Sequence, residues 1–140
     1  MRSGYKEDMD EYWPWIKYRG QVASAIRGKR GQEFLRELLD ALDSLPQKRL
    51  VADDLERDGE VCALGAVGKA RGIDMTDIDV EDADYLAGLF GVAHQLIREI
   101  EFENDEIAPP GFTPEQRYSR MRAWVIENLN KAGAQQCLTE

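Results

Sequence analysis

Tyr85–Glu106, YLAGLFGVAHQLIREIEFENDE, joins two short apolar patterns of helical period across one glycine. Leu86 and Ala87 belong to the first pattern, Gly91 supplies the break, and Val92 follows as a packing residue. Ile97 and Ile100 then recur at the spacing that places them beneath a second helix. Two short helices joined by a tight turn form a helix-turn-helix, whose second helix lies in the major groove of DNA. In that arrangement Ala93, His94, Gln95, Arg98 and Glu99 point outward, and Gln95 and Arg98 suit adenine and guanine edges. The same spacing serves any two helices packed in a core. The pattern therefore establishes two helices and a turn, with two competing uses.

Charge separates the two uses. The second helix runs on into Glu99, Glu101, Glu103, Asp105 and Glu106, whereas phosphate contacts need cations. The 140-residue chain carries a net charge of −9, unevenly placed. Lys17–Glu37 has six basic and two acidic residues, a balance of +4. Asp74–Glu106 has eleven acidic and one basic, a balance of −10, and Glu115–Lys131 has four basic and two acidic, +2. An acidic protein binds DNA and membranes poorly without specific contacts. The opposed segments can also pair with one another. DNA binding through His94, Gln95 and Arg98 is thus the alternative, behind binding to a partner protein.

The flanking segments extend the helical pattern to an all-α bundle of five to seven helices, a single domain over 1–132 with a flexible tail at 133–140. Pro14 suits the first turn of a helix running to about Arg27, with Ile16, Val22, Ala23 and Ile26 inward. EFLRELLDALDSL places Phe34, Leu35, Leu38, Leu39 and Leu42 on one stripe, and Pro46 marks its end. Leu50, Val51 and Leu55 permit a short helix, while Asp58-Gly59 permits a tight hairpin; the helix is the preferred choice. Glu60–Arg71 is rich in small residues. Its interior glycines each cost a helix about 1 kcal/mol relative to alanine, so another backbone should approach closely there. This is expected to be the central, most buried helix. Late Asp residues of GIDMTDIDVEDAD can cap the helix that follows. Thr113, Pro114 and Gln116 are strong start signals for a last helix with Tyr118, Met121, Trp124, Val125 and Leu129 inward.

RGKRGQEFLRELLDALDSLPQKRLVADDLERDGEVCALGAVGKARGID, FENDE and TPEQRYSRMRAWV together resemble a family of small helical proteins encoded by bacteriophages and prophages. The resemblance spans about Tyr18 to Val125. It implies a phage accessory product that binds a host or phage protein in bacterial cytoplasm, and it brings no catalytic residues with it.

Chemistry-bearing constellations are sparse. Cys62 and Cys137 form no CxxC or Cys/His pair, and His94 is the only histidine, so a zinc site is not expected. Cys62 suits a buried, unreactive thiol. GAVGKARG lacks the first glycine and the Ser/Thr of a phosphate-binding loop, with Ala63 and Ala70 in those places. Glu99, Glu103 and Glu106 share a helical face, and Glu56 with Glu60 is a second pair. Such pairs hold Mg²⁺ in helical nucleotide hydrolases, which makes a metal-dependent hydrolase the third option. A solvated acidic face is the plainer expectation, and no metal, cofactor or catalytic residue is assigned. Arg27, Lys29 and Arg30 form the most cationic loop. YWPWIKY places Trp13 and Trp15 where one helix face cannot hold every aromatic, so at least one is exposed. The expected partner-binding set is therefore Trp13, Trp15, Arg27, Lys29, Arg30, Glu99, Glu103 and Glu106. The start, MRSGYKEDMDEY, has no apolar core of a signal peptide, and the longest uncharged run, Tyr85–Ile97, has 13 residues, short of the roughly 20 that span a bilayer. A cytoplasmic protein with no membrane partner is expected.

Overall fold

A computed structural model describes residues 2–106 and 111–139, with side chains over 14–106 and 111–129. Six helices and one two-stranded hairpin follow in the order α1 (Arg2–Arg27), α2 (Lys29–Asp43), β1 (Glu56–Arg57), β2 (Glu60–Val61), α3 (Ala63–Ala70), α4 (Ala83–Phe90), α5 (His94–Asp105) and α6 (Pro114–Thr139). The backbone at 133–139, expected as a tail, continues α6, and the side chains of Trp13 and Cys137 lie outside the described residues. Pro14 falls inside α1 rather than at its start. None of the helices is long and apolar enough to cross a membrane, among the described residues.

The expected stripes become the core. Phe34, Leu35, Leu38 and Leu42 of α2 are buried with Val22 and Ile26 of α1 and Tyr118, Met121 and Val125 of α6. Helix α3 sits at the centre, with Ala63 through Gly68 all buried. The backbone approach expected of its glycines is present at Gly65, where a Cβ would collide with the Leu55 carbonyl, whereas Gly68 is covered by a side chain, the Met75 sulfur. Cys62 caps α3, its Sγ accepting the Gly65 N–H at 3.3 Å. Asp82 caps α4 through the Tyr85 N–H. At α6, Thr113 and Gln116 exchange reciprocal bonds of 2.8 and 3.1 Å, a complete capping box.

The helix preferred around Leu50–Leu55 is not formed. Asp58 (φ 54°) and Gly59 (φ 83°) make a tight turn between β1 and β2, paired Glu56↔Val61 and Arg57↔Glu60. Asp53 is also left-handed (φ 69°), which a helix there would not tolerate. The preceding chain is an irregular loop pinned by backbone bonds instead. Val51 N–H donates to the Val61 carbonyl at 3.0 Å, and Cys62 N–H to the Leu55 carbonyl at 3.1 Å. Leu50, Val51 and Leu55 are buried all the same, because the loop lays them over the central helix.

Candidate functional site

Helices α4 and α5 are two short helices joined by a tight turn at Gly91. Gly91 closes α4 in the left-handed region (φ 75°, ψ 33°), and Ala93 starts α5. Leu86, Val92, Ile97 and Ile100 are buried beneath the turn, as the spacing requires. The outward face of α5 is another matter, since α1 lies along it. Gln95 Nε2 donates to Gln21 Oε1 at 3.0 Å, and Arg19 Nη1 donates to Glu99 Oε1 at 2.7 Å. His94 is half-buried, its Nδ1 3.7 Å from Asp84 Oδ1, and Arg98 alone of the reading set stands exposed.

One turn along, Glu103 Oε1 accepts Arg120 Nη2 of α6 at 3.2 Å. The side chains of Glu99 and Glu103 keep only 6% and 9% exposure. The solvated carboxylate face expected at Glu99, Glu103 and Glu106 therefore exists only at Glu106. The cause is the charge segregation itself. The two basic segments each send one arginine onto a carboxylate of the acidic helix, Arg19 and Arg120, whose long stems cover it while the guanidinium ends stay partly solvated. Glu56 and Glu60 do not form a second ligand pair. They lie on opposite strands of the hairpin, and Glu60 is engaged by Arg49 at 2.9 Å. Among the described residues no three His, Cys, Asp or Glu side chains are arranged to hold a metal ion. Burial pushes the Cys62 thiol up to about 12, far from a nucleophilic thiolate.

Beside the Arg19–Glu99 seam a groove of about 780 Å³ opens. Trp15 and Tyr18 of α1 form one wall, and Arg98, Glu101 and Phe102 of α5, with Glu106 just past its end, the other. Asp53 and Glu81 close its ends from the loops before β1 and before α4. Trp15 is 61% exposed and Phe102 40%. The carboxylates here outnumber the cations, and Arg19 is already committed to Glu99. Burial, then Asp105, Glu81 and Glu106, push Glu101 up to about 7. Burial also raises Asp105, against the lowering effect of bonds from Asn104 and the Asp53 N–H. It raises Glu103 as well, with Arg120 opposing.

Of the expected partner-binding residues, the groove gathers Trp15, Glu99, Glu103 and Glu106. Arg27, Lys29 and Arg30 stand exposed at the corner between α1 and α2, with no ion pair among the described residues. Asp53, Glu81, Glu101 and Phe102 were not singled out from sequence. Phe102 had a detectable signal: it lies four residues after Arg98, off the Ile97–Ile100 stripe, and so had to face outward. Asp53 and Glu81 had none, because loops bring them to the groove.

No family model matches the chain, and no curated protein or solved structure matches it.

Proposed function

We propose that this protein acts by binding another protein, without chemistry of its own, and that the groove between α1 and α5 is the contact face. The observation that carries this is the exposure of Trp15 and Phe102 in one acidic groove. Large aromatic side chains in a concave patch lose their contact with water when a partner covers them, and tryptophan is enriched at interface hot spots. The surrounding carboxylates favour a basic surface on that partner, such as one that otherwise binds nucleic acid. The resemblance to phage-encoded proteins sets this in bacterial cytoplasm, with a host or phage protein as the partner.

The α4–Gly91–α5 geometry favours DNA reading as the second possibility. Gln95 and Glu99, however, are held by α1, and the free end of α5 is acidic. The hydrolase option has less support, since Glu99 and Glu103 already hold arginines. A photo-crosslinking phenylalanine analogue at position 102, expressed in bacterial cells, tests the leading reading. The expected result is a discrete protein adduct that is lacking when the analogue stands at Arg36, on the exposed side of α2. Identical adduct patterns at both positions, or none at either, would reject it. Salt-sensitive binding of duplex DNA that weakens on Arg98→Ala would promote the second reading instead.

A further inference from the structure

Resting on the protein-binding reading, we infer that the occupant of the α1–α5 groove is an arginine-bearing segment of a basic partner protein, its guanidinium stacked on Trp15 or Phe102 and paired with the carboxylates between them.

Two chemistries meet in this groove that meet in few other side-chain sites. A guanidinium is planar, always charged and forked, so it can pair with a carboxylate through two N–H bonds while its face lies on an aromatic ring. An ammonium can use the charge but neither the fork nor the flat face. The groove offers both halves at once: Glu101, Glu106, Glu81 and Asp53 for the fork, and Trp15 and Phe102 for the face. Arg98, which also lines the groove, has no ion pair among the described residues, and its charge only partly offsets that of Glu101. The volume of about 780 Å³ admits more than one side chain, so a segment suits it better than a free ion. The fold contains an internal example of the same recognition. Arg71 Nε and Nη2 hold Glu37 through two bonds of 2.7 Å, while the guanidinium carbon lies 5.3 Å over the Phe90 ring.

The test is fluorescence anisotropy of two labelled peptides of equal length and charge, one with arginines and one with lysines spaced by glycine and serine. Each is titrated with the full chain and with Trp15→Ala, Phe102→Ala, Glu106→Lys and Asp77→Lys. The first three change groove residues exposed to solvent; Asp77, exposed and outside the groove lining, controls for net charge. We expect the arginine peptide to bind about three- to fivefold tighter than the lysine peptide. Trp15→Ala or Phe102→Ala should remove that preference, and Glu106→Lys should weaken both peptides more than Asp77→Lys does. Equal affinity for the two peptides would overturn the inference, as would equal effects of Glu106→Lys and Asp77→Lys, or no binding of either peptide. Should position 102 still give its protein adduct while the arginine peptide fails to bind, the protein-binding reading stands and the arginine occupant falls.

Discussion

Asn104 lies within FENDE, where its neighbours carry all the visible charge. In the fold it is 2% exposed. Its Oδ1 accepts the Ala63 N–H at 3.0 Å, which is one of the orphan donors at the start of α3. Its Nδ2 donates to the Val51 carbonyl at 2.9 Å and to Asp105 Oδ1 at 2.6 Å, and its backbone carbonyl accepts Arg117 Nε at 2.8 Å. One side chain thus ties the central helix, the loop before the hairpin and α5 together, while its carbonyl adds α6. Truncating it leaves a buried donor and a buried acceptor unpaired, at about 1–3 kcal/mol each. We predict that Asn104→Ala lowers unfolding free energy by about 2–4 kcal/mol in urea titrations. Asn104→Asp should fare no better, because it sets an acceptor against the Val51 carbonyl and the Asp105 carboxylate. A loss under about 0.5 kcal/mol for Asn104→Ala, typical of surface changes, would show that water replaces these bonds freely.

The contact of α1 with α5 engages Gln95 and Glu99, two of the positions that face outward from α5. Glu99 is buried there with Arg19 as its ion-pair partner. Removing one member of a buried pair strands the other, whereas replacing both by apolar groups is often neutral. Arg19 is 41% exposed along its side chain, so solvent reduces the penalty. Arg19→Met should therefore destabilise by about 2 kcal/mol, and Arg19→Met combined with Glu99→Met should recover most of it. A double variant no more stable than the single would mean that packing, not charge, seats α1. These placements also mark where sequence patterning stops. The α2 stripe and the capping box at Thr113 are local, since period and cap each act within a few residues, and the missing Cβ at Gly65 is visible in the sequence although the Leu55 carbonyl it admits is not. The partners of Glu99 and Glu103 are 80 and 17 positions away, and carboxylates at i, i+4 and i+7 look solvated until those arginines arrive. The helix expected at Leu50–Leu55 gives way to a loop and hairpin for the same reason. Leu50, Val51 and Leu55 fit either a helix or an extended strip, and the choice is made by the Val61 and Leu55 carbonyls and by the Pro114 carbonyl, which accepts the Leu50 N–H.

Across the molecule, the net charge of −9 is partly absorbed by pairing, while seven carboxylates and two arginines line the groove. This gives stability two opposed pH limbs. The bonds from Arg71 hold Glu37 below its ordinary value, and those from Arg122 do the same for Asp43. Their stabilisation is present above the ordinary carboxylate range and is lost on acidification through their lowered folded values. Glu101 has the opposite sign. At about 7 when folded, against 4.5 for the ordinary group, it holds its proton more tightly in the native state. Its contribution is full below the ordinary value and disappears as pH rises through about 7; Glu103 and Asp105 are shifted in the same direction by burial. Stability should therefore peak in mild acid. We predict a thermal midpoint about 3 °C higher near pH 5.5 than near pH 8, equivalent to about 1 kcal/mol once solvent screening is allowed for. Glu101→Gln should flatten most of that difference and leave the acid limb intact. A midpoint that climbs steadily to pH 8, or an unchanged slope in Glu101→Gln, would remove Glu101 from this account. A guanidinium seated in the groove favours the ionised carboxylate, so a bound arginine peptide should abolish the alkaline decline that the free protein shows.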